Sequence, residues 1–124
     1  MWCSIRTNPV SMPVDERLKR GIELFNEQEF FECHEVVEGL WLATQNEYKN
    51  LYKGLIQAAV ALYHLGRGNL LGAKKLHKSS SRYLEDYRPE AQGLNVEKLI
   101  SDMNDCFRLQ ERGKITFPVI DFHG

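Results

Sequence analysis

The sequence predicts an all-α protein: a compact bundle of about five helices, built from two stacked helical hairpins, a C-terminal helix and an extended tail. Three observations predict it. Apolar residues recur at helical spacing from Asp15 to about Arg112. Capping residues stand where that periodicity starts and stops. A weak internal echo aligns Glu29-Phe30-Phe31-Glu32-Cys33 with Asn69-Leu70-Leu71-Gly72-Ala73, an offset of about 40 residues, as stacked helix pairs give. Two copies are too few for a solenoid, so one bundle is expected.

The elements follow in order. Asp15 is a candidate N-cap for a first helix with Leu18, Ile22 and Phe25 on one stripe. A break near Gln28 and Glu29 leads to a second helix ending about Thr44. A third spans about Glu47 to Arg67. Gly68-Asn69 supplies a C′ glycine and then an N-cap asparagine, a tight helix-to-helix turn. The fourth helix ends near Tyr87 and carries Ala73, Leu76, Ser80 and Tyr83 on one stripe. Arg88 to Leu94, with Pro89 and Gly93, reads as a loop. Asn95 caps a fifth helix in which Val96, Leu99, Ile100, Met103 and Phe107 keep a 3.6 period. The tail ITFPVIDF is β-branched and aromatic and is expected to lie extended against the bundle.

The bulk numbers suit one domain. The chain has 124 residues, 43% apolar and 27% charged, and a net charge of −1. The low charge argues against nucleic acid as a partner. The cysteines, Cys3, Cys33 and Cys106, are odd in number and none form a CxxC pair. That argues against a disulfide scaffold or a cysteine zinc site and for a reducing, cytoplasmic setting. No apolar run approaches the roughly 20 residues that cross a bilayer, and the N-terminus lacks a signal-type apolar core. Residues 1–14 read as a flexible lead-in and 15–124 as a single helical domain.

Charge is sorted along the chain. Seven acids and no Lys or Arg lie between Gly21 and Tyr48, while seven bases and no acid lie between Tyr48 and Leu84. Either the two faces attract each other across the bundle, or they make an acid-to-base contact between copies or an anion site on the fourth helix.

Ionisable groups also interrupt apolar stretches. In FFECHEVVEGLW, with His34 set at zero, about 100° per residue puts Glu38 near +40°, Trp41 near −20°, Phe31 near +60°, Phe30 near −40° and Val37 near −60°. This is the stripe expected to be buried, with Glu35 and Glu32 turned toward solvent. The pair to watch is therefore His34 with Glu38, one turn apart. In the third helix, LIQAAVALYHL is apolar nearly all round, broken by Gln57 and His64 on one face, with Tyr63 able to keep its hydroxyl at the edge.

An unpaired buried ionisable group costs several kcal/mol, so His34, Glu38, Gln57 and His64 are expected to meet. In the structural alternative, Glu38 accepts a hydrogen bond from an imidazole, and Gln57 or the Trp41 indole completes a polar network. In the functional one, His34, Glu38 and His64 bind a divalent metal, zinc or iron, with open positions for water or substrate and metal-assisted hydrolysis as the reaction class. Spacing excludes other motifs: HExxH fails because Glu38 stands where the second histidine would be, and no histidine has the ExxH spacing of a di-iron bundle. Cys33 is read as core, His77 as a surface residue, and His123 carries no signal.

The segment HEVVEGLW fits HxxxExxW, with His34, Glu38 and Trp41 at the fixed places. Together with FNEQEFFECHE before it and GLIQAAVALYHLGRGNLLGAKKL after it, it resembles the family called domain of unknown function 309, over about Leu18 to Tyr87. The resemblance implies an all-α bundle and a suspected metal-binding role for His34 and Glu38. That family has no assigned activity, so the resemblance sharpens the fold more than the chemistry. Gln28 departs from the pattern, standing where the family often has a small turn residue such as glycine.

Overall fold

A computed structural model describes the chain from Val14 to Gly124. The lead-in expected over residues 1–14, and Cys3 with it, lies outside the described residues apart from Val14. Five helices follow: α1 (Glu16–Asn26), α2 (Phe30–Ala43), α3 (Lys49–Gly66), α4 (Leu70–Glu85) and α5 (Val96–Gln110). The all-α expectation holds. Between α4 and α5, β1 (Glu90–Ala91) and β2 (Leu94–Asn95) pair as a two-residue antiparallel ladder where a loop was expected.

The caps act as their side chains dictate. Asp15, Asn69 and Asn95 accept from the backbone N–H groups of Arg17, Gly72 and Lys98 at 2.8, 3.1 and 3.0 Å.

The 40-residue echo is a repeated turn. At the end of α1, the Gln28 N–H donates to Phe25 O at 3.0 Å and the Glu29 N–H to Leu24 O at 2.8 Å. At the end of α3, the Gly68 N–H donates to Leu65 O at 3.2 Å and the Asn69 N–H to His64 O at 2.9 Å. Both are Schellman closures whose C′ residue is left-handed, with φ 64° at Gln28 and 79° at Gly68. In each case the next helix starts two residues later. The α1–α2 and α3–α4 hairpins are thus built on one plan.

Small residues set how close the helices come. A side chain at Gly21 of α1 would place its Cβ 2.4 Å from Val37 Cγ2, so the glycine lets α2 dock. Gly54 of α3 admits Leu84 in the same way, and Ser80 Oγ donates to Gly54 O at 2.8 Å. Leu18, Leu51, Leu55, Leu62, Leu65, Leu84 and Leu99 are fully buried, each stabilising the fold by about 2 kcal/mol relative to exposure.

The tail lies extended against the bundle, as expected. The Asn26 side chain pairs with the Ile120 backbone in both directions, donating to its carbonyl at 3.1 Å and accepting from its N–H at 2.6 Å. Phe117 packs on Phe30 with ring centroids 5.2 Å apart.

Two expectations need correction. The acidic and basic stretches do not face each other: α2 and α4 pack against different sides of α3. Among the described residues no ion pair joins the acids of 23–47 to the bases of 49–82. His77 is not a simple surface residue. Its ring stacks on Phe107 at 4.2 Å and Nε2 meets Asn104 Oδ1 at 2.9 Å, fastening α4 to α5. Its position in a lysine- and serine-rich helix hid this, because the apolar partner lies 30 residues on in α5. No described helix is long and apolar enough to cross a membrane.

Two predictions follow from this packing. Gln28→Gly should raise stability by about 1 kcal/mol in chemical denaturation, because it relieves a side chain held at positive φ; a loss of stability would contradict the turn. Burial pushes the His77 pKa below its ordinary 6.5. The unfolded chain therefore binds the proton more tightly, so this contribution is present above pH 6.5 and lost as pH falls below it. Melting temperatures between pH 7.5 and 5.5 should fall more for the wild type than for His77→Gln.

Candidate functional site

The roll of α2 decides what the motif residues can do. Its buried residues are Phe30, Cys33, Val37 and Leu40. Their centre lies about 80° from His34 around the helix. The stripe predicted to be buried is therefore wrong at its edge: Phe31 is 50% exposed and the Glu38 side chain 52%. The physical reason is that α2 is apolar around most of its circumference, so its own sequence leaves the roll free. Val37 seating on Gly21 of α1 settles it.

His34 and Glu38 nevertheless meet at the helix edge. His34 Nε2 lies 3.9 Å from Glu38 Oε2, too long for a hydrogen bond, and the imidazole is 25% exposed. His34 Nδ1 lies 3.3 Å from Phe31 O. His64 arrives from α3: with Phe31, His34, Val60 and Tyr63 it lines one depression of about 230 Å³. Phe31 and Tyr63 close its wall with centroids 5.6 Å apart. His64 Nδ1 is 3.5 Å from Asn69 Nδ2. Gln57 sits on the same side of α3, its Oε1 buried and without a donor among the described residues.

The structure thus brings His34 beside Glu38 and places His64 in the same depression. It does not bring the three together as a ligand set: among the described residues, no three His, Cys, Asp or Glu groups converge closely enough to hold a metal ion. Nor is there a fully buried polar network, since Glu38 reaches solvent.

Trp41 has a role that residue spacing alone did not suggest. Lys49 and Lys53 of α3 place their ammonium groups 4.4 and 4.6 Å from its ring centroid. Lys49 Nζ also donates to the carbonyls of Trp41 at 2.7 Å and Thr44 at 3.1 Å. It therefore satisfies open acceptors at the C-terminus of α2, where a cation is also favoured by the helix dipole. The available signal was a pair of lysines one turn apart at the start of an otherwise apolar helix. Cys33, beside the motif, is core as expected. Burial pushes its thiol up to about 12, so it stays protonated near neutral pH and is no nucleophile there.

In denaturation experiments Lys49→Met should cost about 1 kcal/mol and Trp41→Ala about 2 kcal/mol. The double variant should lose less than the sum, because the two side chains share one contact. Strict additivity would show that the lysine does not act through the indole.

Residues 18–76 match the model of the family described as Domain of unknown function (DUF309). The chain is similar to "Uncharacterized protein YpuF" of Bacillus subtilis (strain 168), with 37% identity over 89 residues, covering 69% of this chain and 51% of the relative. It is also similar to an "Uncharacterized protein" of Aquifex aeolicus (strain VF5), with 27% identity over 99 residues, covering 79% of this chain and 30% of the relative. The chain thus spans about half the length of the first relative and under a third of the second. Residues 18–76, which hold the whole His34, Glu38 and Trp41 motif, thus match the domain of unknown function 309 family.

Proposed function

We propose that this protein is a non-catalytic helical-hairpin interaction module. His34, Glu38 and Trp41 run along one line of α2, His34 and Trp41 fix its register on α3, and the open face above α3 receives a partner or a second copy. The observation that carries this reading is the Trp41 clasp: two lysines of the next helix hold its ring. The exposed Phe31, half of its surface open beside Tyr63, supports a contact role. Both relatives extend well beyond the aligned part, as expected of a module joined to other segments. Cys33 and Cys106 are free and buried, which suits a reducing compartment such as the cytoplasm.

A second reading is a zinc or iron site on His34, Glu38 and His64 that supports metal-assisted hydrolysis. One observation favours it: both imidazoles line the same depression, with the carboxylate 3.9 Å from the first. As placed, the donors do not fit a metal ion. Glu38 and His64 would have to turn toward His34, and no chemical step follows from the present geometry.

Elemental analysis of tag-free protein, before and after exposure to zinc or iron, separates the two. No stoichiometric metal is expected, and His34→Ala and His64→Ala should each cost about 0.5–1 kcal/mol of stability. One metal per chain, lost when both histidines are replaced, would overturn the module reading.

A further inference from the structure

The repeat that relates the two hairpins also relates two exposed ridges. On α2, Phe31, Glu35, Glu38 and Leu42 are exposed and, at about 100° per residue, lie within about 60° of one another. On α4, Leu71, Lys75, Lys78 and Arg82 are exposed and span the same arc. The spacing is i, i+4, i+7, i+11 in both, and each pair is 40 residues apart: Phe31 with Leu71, Glu35 with Lys75, Glu38 with Lys78, Leu42 with Arg82. Equivalent positions thus carry an apolar group at the first place and opposite charges at the second and third.

The two ridges flank the partly exposed side of α3. Between Leu51 and Leu65 the residues of α3 that are not buried are Lys53, Gln57, Val60, Tyr63 and His64. Phe31 and His34 border this strip on the α2 side, where they share a depression with Val60 and His64. On the α4 side, Ser79 and Arg82 share another with Asn50, near the start of α3. The N-termini of α2 and α4 both lie near the C-terminal end of α3: Phe31 packs against Tyr63, and α4 begins just after the turn that closes α3.

We infer that this face is a two-fold contact with a second copy of the chain, its axis running along α3 in the plane of contact. That axis lays α2 of one copy on α4 of the other at matching heights. Glu35 and Glu38 then meet Lys75 and Lys78, and Phe31, 50% exposed, meets Leu71, 73% exposed. An in-plane axis across α3 would set acid on acid and base on base. The charge distribution therefore selects one arrangement, isologous and closed. A face three helices wide and about four turns long offers roughly 600 Å² per copy, near the ~800 Å² of a standard interface. The buried Gln57 Oε1, without a donor among the described residues, lies on the strip at its centre.

This inference rests on reading the protein as an interaction module, and sedimentation equilibrium at tens of micromolar tests it separately from the metal question. The expected mass is twice the 14.4 kDa chain, with association weakened by salt. Lys75→Glu with Lys78→Glu should weaken association at least ~100-fold, since like charges are forced together. Glu35→Lys with Glu38→Lys should do the same. The chain carrying all four substitutions should dimerise again, because both ridges are then exchanged. Leu71→Glu should give monomer and Ile115→Glu, exposed near the tail, should not. All these positions are exposed, and circular dichroism checks that the helices persist. A monomeric wild type overturns the inference, including one whose basic ridge binds a nucleic acid instead. So does a dimer that survives the Lys75 and Lys78 reversal, or a four-fold variant that stays monomeric. None of these outcomes bears on whether metal is retained.

Discussion

Packing α3 between α2 and α4 removes ten of the fifteen residues from Leu51 to Leu65 from water. Small residues make this possible: Gly54, Ala58, Ala59 and Ala61 are all buried, and the first lets Leu84 approach to a distance that a Cβ would forbid. A helix enclosed this far has little surface left, and what it has is forced onto one side. Lys53, Gln57, Val60 and His64 fall on that side because the other directions are taken. The polar residues of α3 are therefore placed by packing before any chemistry is asked of them. The same constraint brings His64 beside His34, since both stand where the α2–α3 boundary opens to solvent.

Much of the fold was legible because it is written in local rules. The helix limits follow from Asp15, Asn69 and Asn95, whose side chains bond the backbone two or three residues on. The hairpin repeat was visible as an echo of residues, and its cause, a shared left-handed C′ position, needed only Gly68 to be recognised. Gln28 concealed the first copy because a long side chain there is uncommon. The site was less legible. An angular plot locates an apolar stripe only where polar residues delimit it, and α2 has apolar groups at Phe30, Phe31, Cys33, Val36, Val37, Leu40 and Trp41. Which of these goes inward depends on Gly21, in another helix. His77 was misplaced for the same reason: its partner Phe107 is non-local.

The sorted charges carry a related lesson. Charges of opposite sign in successive helices suggest mutual attraction, yet the acids of α2 and the bases of α4 flank α3, and no ion pair joins them among the described residues. Three of the bases meet an aromatic face instead: Lys49 and Lys53 on Trp41, and Arg67 on Tyr63. An ammonium over an indole keeps part of its hydration, so it can clasp Trp41 at a partly wet boundary without the desolvation that a buried ion pair demands.

The spacing of the motif itself argues for such a boundary role. Positions i, i+4 and i+7 fall on one line along a helix. A line is what a contact between two helices needs, because each residue then meets the neighbour at a different height: Trp41 beside Lys49 and Lys53 at one end, His34 beside His64 at the other. A metal ion asks for more than a line: two donors one turn apart can serve it, but a further donor from another element must converge on the same point. Only His34 and Glu38 stand one turn apart on α2, and the carboxylate projects to solvent. The third fixed residue, an indole, offers a donor N–H and no ligand atom. Two of the three members are thus tied to α3 across its boundary with α2, and this geometry accounts for a tryptophan at the end of the motif, which a ligand set does not.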